Sequence, residues 1–174
     1  MRKVLLLFVL LIGSVVLAAC DSQREFDFED GVLVVGLEAA YAPFNWAETT
    51  ATDTNVPIYG TSMYAEGYDV QIARRIAAHL GLELVVKMVD WDGIIPALQS
   101  GMIDVIIAGM SPTAERAEVI SFTDEYYRSE HVVVVRETSQ YANATRFIDF
   151  AGANIMGQRG TVYDDLAEQL AESA

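Results

Sequence analysis

Leu82-Glu83-Leu84-Val85-Val86-Lys87-Met88-Val89 is a run of aliphatic and β-branched residues, and the segments on either side of it decide the fold. Ile94 to Ser100 has helical spacing, Gly101 breaks it, and Ile103-Asp104-Val105-Ile106-Ile107-Ala108 is a second run of strand character. A brief helix is expected to start near Pro112. Upstream, Val32 to Gly36 reads as a buried strand. Asp69 to Leu80 reads as a helix whose inward stripe is Ile72, Ala73, Ile76, Ala77 and Leu80, closed by Gly81. Strand, helix, strand, helix, strand in this order predicts an α/β fold with a parallel, doubly wound sheet. Glu48 to Asn55 is a Thr-rich loop. Downstream, His131 to Arg136 reads as a further strand and Glu137 to Thr145 as a polar stretch. Ala153 to Met156 predicts one more strand, Gly157 to Thr161 a turn, and Val162 onward a helix that runs to Ala174.

Met1, Arg2 and Lys3 precede an almost unbroken apolar run, Val4 to Leu17, that closes on Ala18, Ala19 and Cys20. Charge, apolar stretch and small residues in that order predict a secretory signal over residues 1–19. A membrane span needs about 20 apolar residues, and this run is shorter and interrupted by Gly13 and Ser14. Cys20 is the single cysteine, so an internal disulfide is impossible. Leu17-Ala18-Ala19-Cys20 resembles the lipobox of bacterial lipoproteins, in which the thiol takes a diacylglyceryl group and becomes the first mature residue. The resemblance implies lipidation at Cys20, with fatty acids such as palmitate holding the chain to the outer side of the cell membrane. Residues 20–30 are then the lipidated cysteine and a tether. The formal charge is −14, and removing Arg2 and Lys3 with the signal takes it to −16. Nucleic acid is therefore not an expected partner. The 155 residues from Cys20 onward suit one domain or one and a half.

In open parallel sheets, ligands sit at the carboxyl ends of the strands. Glu38 and Tyr41 follow the first strand, Trp91 and Asp92 the second, and Gly109, Met110 and Ser111 the third, so these ends are expected to converge on one crevice. Tyr41 and Trp91 would offer flat faces to a small ligand, or else serve as core or as loop plugs. Arg116 follows the third strand end by one helical turn, with Ser111 and Thr113 nearby. Its planar fork fits a carboxylate bidentately, whereas taken alone it is a solvated side chain on a short helix. Glu38 and Asn45 hint at a ligand with a polar or cationic side chain. Catalysis has less support: there is no G-x-S-x-G elbow, H-E-x-x-H pair or Cys/His cluster. His79 falls on the back of a helix and His131 enters a strand. Glu38 and Asp92 could serve as acid and base, but Asp92 is more simply the cap of the helix after it. Neither a metal nor a cofactor is expected.

Four segments carry a family resemblance: Val35-Gly36-Leu37-Glu38-Ala39-Ala40-Tyr41-Ala42-Pro43-Phe44, Glu66-Gly67-Tyr68-Asp69-Val70, Trp91-Asp92-Gly93-Ile94-Ile95-Pro96-Ala97-Leu98, and Ile107-Ala108-Gly109-Met110-Ser111-Pro112-Thr113-Ala114-Glu115-Arg116. Together they resemble the family 3 solute-binding proteins of amino-acid ABC transporters, in the right order from about Gly31 onward. Arg159-Gly160-Thr161 resembles the family's turn at the start of the second lobe. The resemblance implies a type II periplasmic-binding-protein fold, with lobe 1 over residues 31–130, a first hinge strand at 131–136 and the start of lobe 2 at 137–174. It implies a non-enzymatic monomer that binds one free amino acid and passes it to a cognate permease. Arg116 would clamp the α-carboxylate, aided by backbone N–H groups near Ser111 and Thr161. The Gly109 carbonyl and Ser111 hydroxyl would take the α-amino group, Tyr41 and Trp91 would sandwich the side chain, and Glu38 would face its variable end.

Two departures stand against the family pattern. Trp46 to Ala65 is longer than in compact members. A second hinge strand and a lobe 2 acidic ligand residue are not found in these 174 residues, which implies a fragment or a truncated gene and weak binding by this chain alone. Other classes on the same fold remain open: a dehydratase resembling those that act on cyclic acids, or a ligand-sensing receptor ectodomain.

Overall fold

The structure, a computed structural model, describes residues 30–173. The expected signal peptide (1–19), the lipid-bearing Cys20 and nearly all of the tether lie outside the described residues. Val32 onward clusters as one compact unit. Among the described residues no helix is long and apolar enough to cross a membrane.

In chain order the elements are β1 Val32–Leu37, β2 Ala40–Tyr41, β3 Asn45–Glu48, β4 Val56–Pro57, β5 Tyr64–Glu66, α1 Tyr68–Leu80, β6 Glu83–Met88, α2 Trp91–Gln99, β7 Val105–Ile106 and α3 Ala114–Ala117. A 3₁₀ turn, Phe147–Phe150, and α4, Val162–Ser173, come after them. The principal sheet is parallel with order β6-β1-β7, as the alternation of strands and helices predicts. β1 sits between two strands and under helices, so it reads as a continuous apolar run. Val35 and Leu37 have no exposed surface, and Leu37 shares one buried apolar cluster with Val86, Ile94 and Ile103. Each such side chain contributes roughly 1.5–3 kcal/mol by leaving water. β7 is shorter than the predicted Ile103–Ala108 strand, although Asp104 N–H donates to Val34 O at 2.8 Å and Ile107 N–H to Gly36 O at 3.2 Å beyond its ends.

Helix α1 buries a narrower stripe than its periodicity predicts. Val70, Ala73 and Ala77 face inward with Asp69, whereas Ile76 and Leu80 are 39% and 51% exposed. At 100° per residue, pointing positions 70, 73 and 77 at the sheet turns 76 onto the flank, whereas Leu80 stays near the line of Ala73 and is exposed as the last residue of the helix. Gly81 ends the helix in the left-handed region, its N–H on the carbonyls of Ala77 and Ala78. Helix α2 begins at Trp91 instead of the predicted Ile94, so Trp91 and Asp92 lie in its first turn. Its N-cap is Asp90, which corrects the reading of Asp92 as the cap.

Trp46 to Ala65 is not one unbroken loop: it supplies most of β3, β4 and β5 to a small antiparallel sheet of order β2-β3-β5-β4, with turns and loops between those strands. Trp46 pairs with Glu66 and Ala47 with Ala65, and Ile58, 1% exposed, bridges to Val86 of β6. The Thr-rich bend holds itself: Asn55 Oδ1 accepts from Thr52 N–H, and Asn55 Nδ2 donates to Thr50 O.

Two predicted strands do not form. His131–Arg136, expected as the first hinge strand, and Ala153–Met156 pair with no strand among the described residues. Val132, Val134 and Met156 are 77%, 88% and 94% exposed. β-Branched side chains suit a pleated backbone, but a strand exists only through a ladder to a neighbour.

Candidate functional site

Because β1, β6 and β7 are parallel, their carboxyl ends face the same way, and the segments after them carry the polar and aromatic residues singled out above. Glu38 and Tyr41 follow β1, Trp91 opens α2, Gly109 to Ser111 follow β7, and Arg116 lies in α3. One cleft is lined by Glu38, Tyr41, Trp91, Gly109, Ser111, Arg116 and Thr161, joined by Gln158 and Tyr163 among others. Met110 is the exception. Its side chain packs against the apolar core.

The cleft has a cavity volume of about 30 Å³. Its walls meet through side chains. Tyr41 and Tyr163 share a hydroxyl–hydroxyl bond of 3.1 Å, Gln158 Nε2 donates to Glu38 Oε1 at 3.1 Å, and Trp91 Nε1 donates to Gly160 O at 2.9 Å. The Tyr41 phenol is pushed up to about 12, chiefly by burial and then by the bond to Tyr163. It therefore remains a neutral donor and acceptor at any ordinary pH.

Arg116 is half-buried, with its guanidinium 5.4 Å from the centre of the Trp91 ring. Nη1 donates to Ser111 O at 2.7 Å and Nη2 to Gly160 O at 3.0 Å. A guanidinium has more N–H donors than these two carbonyls use, so donors remain for an anion. Burial lowers its pKa, offset in part by Asp165 and Glu115. It stays fully charged all the same, given how high its ordinary value lies. Thr113 caps α3: its hydroxyl accepts from the Arg116 N–H at 3.2 Å, which orients the turn that presents the side chain.

Thr161 is buried, and its N–H donates to Gln158 O at 3.3 Å. Asp92 lies outside the cleft lining and forms an exposed ion pair of 2.6 Å with Arg159. Asn45, which hinted at ligand polarity, is fully buried, with its amide bonded to Ala39 N–H and to Asp69. Gln158 and Tyr163 are cleft residues that the sequence does not single out. The one local signal for them is their position beside the Arg159-Gly160-Thr161 turn.

The sequence profile of the bacterial extracellular solute-binding proteins, family 3, matches residues 33–151. The arginine-binding extracellular protein ArtP of Bacillus subtilis (strain 168) is 30% identical over 172 residues, which cover 98% of this chain and 61% of ArtP. An ancestral arginine-binding protein solved bound to arginine is 34% identical, with a TM-score of 0.67 over 82% of this chain and 57% of its own. An ancestral arginine-binding protein solved bound to glutamine is 33% identical, with a TM-score of 0.68 over the same shares. The chain thus spans about three fifths of the length of these relatives.

Proposed function

The chain belongs to the bacterial extracellular solute-binding proteins, family 3, and on that premise we propose that it is the extracytoplasmic substrate-binding component of an amino-acid ABC importer. The observation that carries this reading is the composition of a single cleft: a half-buried guanidinium, a carboxylate and two aromatic faces. A free amino acid needs those partners. Arg116 pairs with the α-carboxylate, and the Gly109 carbonyl and Ser111 hydroxyl receive the α-ammonium. Tyr41 and Trp91 cover the side chain. Glu38 already accepts an amide N–H from Gln158, so it suits a ligand whose far end donates, as a guanidinium or carboxamide does. The arginine and glutamine bound by the ancestral relatives have such ends.

Side-chain bonds already join the cleft walls, so binding an amino acid here involves parting and closing them. Within this reading, residues 31–130 are lobe 1, residues 131–136 the first hinge crossing and residues 137–174 the start of lobe 2. The protein is a monomer held at the outer membrane face through a lipid on Cys20, and it hands its ligand to a cognate permease.

The test is calorimetric titration of L-arginine, L-glutamine, L-histidine and L-aspartate into the product of the whole reading frame. Micromolar binding of at least one cationic or amide ligand is expected. Failure of every free amino acid to bind below millimolar concentration would overturn the function. Cys20→Ser is expected to leave an uncleaved or released protein, and mature-sized protein still in the membrane would remove the lipid anchor from the proposal.

A further inference from the structure

Two residues beside the cleft hold left-handed backbone, and side chains from elsewhere capture the N–H of each. Ala39, with φ 57°, is the one non-glycine residue among those described with a positive φ. Such a conformation is unfavourable for an alanine, because its Cβ crowds the following carbonyl oxygen. Its N–H donates to Asn45 Oδ1 at 2.8 Å. Gly109 has φ 60°, and a Cβ there would lie 3.1 Å from the Tyr41 ring. Its N–H donates to Tyr126 Oη at 3.1 Å. Both captures end on one carboxylate: Asn45 Nδ2 donates to Asp69 Oδ2 and Tyr126 Oη donates to Asp69 Oδ1, each at 2.8 Å.

Asp69 has no exposed surface and lies in the first turn of α1, where the helix dipole favours an anion. Ala39 stands between the cleft residues Glu38 and Tyr41, and Gly109 is two residues before Ser111. The network therefore grips the cleft walls themselves. Among the described residues no buried side-chain nitrogen or oxygen lacks a partner, so a change at one node strands another.

We propose that Asp69 is a positioning residue of the cleft, fixing the Ala39 turn through Asn45 and the Gly109 turn through Tyr126. One buried carboxylate then sets the spacing between the wall that carries Glu38 and Tyr41 and the wall that carries Ser111. The proposal rests on the amino-acid-binding reading above. It also makes Asp69 distinguishable from a residue that only holds α1 in place.

The isosteric change Asp69→Asn replaces an acceptor with a donor and sets two N–H or O–H groups against each other. The double change Asn45→Asp with Asp69→Asn restores every bond. The carboxylate introduced at position 45 would accept from Ala39 N–H and from the amide introduced at position 69, and the oxygen of that amide would accept from Tyr126. The product of the whole reading frame is labelled with ¹⁵N for amide shifts, titrated with L-arginine, and unfolded in urea. Asp69→Asn is expected to move the Ala39 and Gly109 amide resonances and to weaken L-arginine about tenfold or more. Tyr126→Phe is expected to move Gly109 and leave Ala39 in place. The double substitution is expected to return both resonances and to restore affinity to within about threefold.

The proposal is overturned if folded Asp69→Asn binds within about twofold of the unsubstituted protein. It is equally overturned if the double substitution stays as weak as the single one, or if Tyr126→Phe leaves the Gly109 amide unmoved. Should Asp69→Asn fail to fold, Tyr126→Phe and the double substitution decide. Failure of the unsubstituted protein to respond to L-arginine would count against the function proposed above, while the amide shifts, which need no ligand, still test the positioning.

Discussion

Val32–Leu37 and residues 131–136 are close in character, one reading Val-Leu-Val-Val-Gly-Leu and the other His-Val-Val-Val-Val-Arg, yet they end in opposite environments. The first is the central strand of a parallel sheet with Val35 and Leu37 out of contact with water. The second pairs with no strand among the described residues and leaves Val134 88% exposed. The difference lies in the neighbours. β1 has β6 and β7 on either side with α2 packed against it, so ladder partners and apolar cover come together. β-Propensity states that a segment fits such a place, and the place has to be supplied by other parts of the chain.

Placing the same residue type in both environments gives the means to break this comparison. The largest effect is expected for Val35→Asp in the 174-residue chain. A charge in that strand has no partner and costs more than about 4 kcal/mol, enough to abolish a cooperative urea transition. Val134→Asp should change stability by less than about 0.5 kcal/mol. Equal losses would mean that residues 131–136 are packed in solution.

A second pair sharpens the contrast at the level of binding. Arg116 touches the cleft and Arg75 is exposed on α1. If Arg116 meets a carboxylate, Arg116→Ala in the product of the whole reading frame should weaken the ligand about 30-fold to several thousand-fold, corresponding to roughly 2–5 kcal/mol. Lysine should restore little, because it offers a point charge in place of a fork. Arg75→Ala should stay within about twofold. Matching dissociation constants for the two alanine variants would place the carboxylate elsewhere.

The carboxylates Asp69 and Glu66 form a third pair. Burial holds Asp69 above its ordinary 3.8, against the hydrogen bonds from Asn45 and Tyr126. Folded protein keeps that proton to higher pH than unfolded chain does. Its share of stability is therefore full below 3.8 and declines as pH rises through the raised folded value. For Glu66 burial acts upward, but the bonds from Thr54, from the Gly67 N–H and from Thr52 prevail and lower it from 4.5. Its share is present above 4.5 and lost as pH falls through the folded value. Urea transitions across the acid range should show the stability difference from Asp69→Asn shrinking with rising pH and that from Glu66→Gln growing. Slopes of the same sign would contradict the two environments.

The smallest effect is expected at the Asp92–Arg159 pair, whose side chains are 59% and 84% exposed. An exposed pair contributes about 0–1 kcal/mol, so Asp92→Asn should change ligand affinity by less than about fivefold. A larger loss would assign this pair a part in holding the walls together.

Much of the site is legible in the sequence because it hangs on strand ends. Once Val32 to Gly36, Leu82 to Val89 and Ile103 to Ala108 are read as parallel strands, Glu38, Tyr41, Trp91, Gly109 and Ser111 fall at one edge of the sheet, and the structure brings them into one cleft with Arg116 and Thr161. Met110 departs from that grouping: Gly109 before it passes through the left-handed region at φ 60°, and the Met110 side chain packs against the core while Ser111 lines the cleft. Asn45 departs from it too: a polar residue near a strand end suggests a ligand contact, whereas here it is 0% exposed and bonded to Asp69. The antiparallel sheet between Trp46 and Ala65 is hidden by strands of two to four residues, too short to show a period.

The amino-acid order by itself determined the parallel α/β arrangement, the helix stop at Gly81 and the cluster of polar and aromatic side chains at the strand ends. All three arise from patterns that repeat within a few residues. The tertiary structure alone decided that His131–Arg136 pairs with no strand among the described residues while β1 is buried, and that Gln158 and Tyr163 reach Glu38 and Tyr41 across separations of 120 and 122 residues. Periodicity and propensity act over a turn or a strand, whereas contacts of that length exist only once the chain has folded and brought the two walls together.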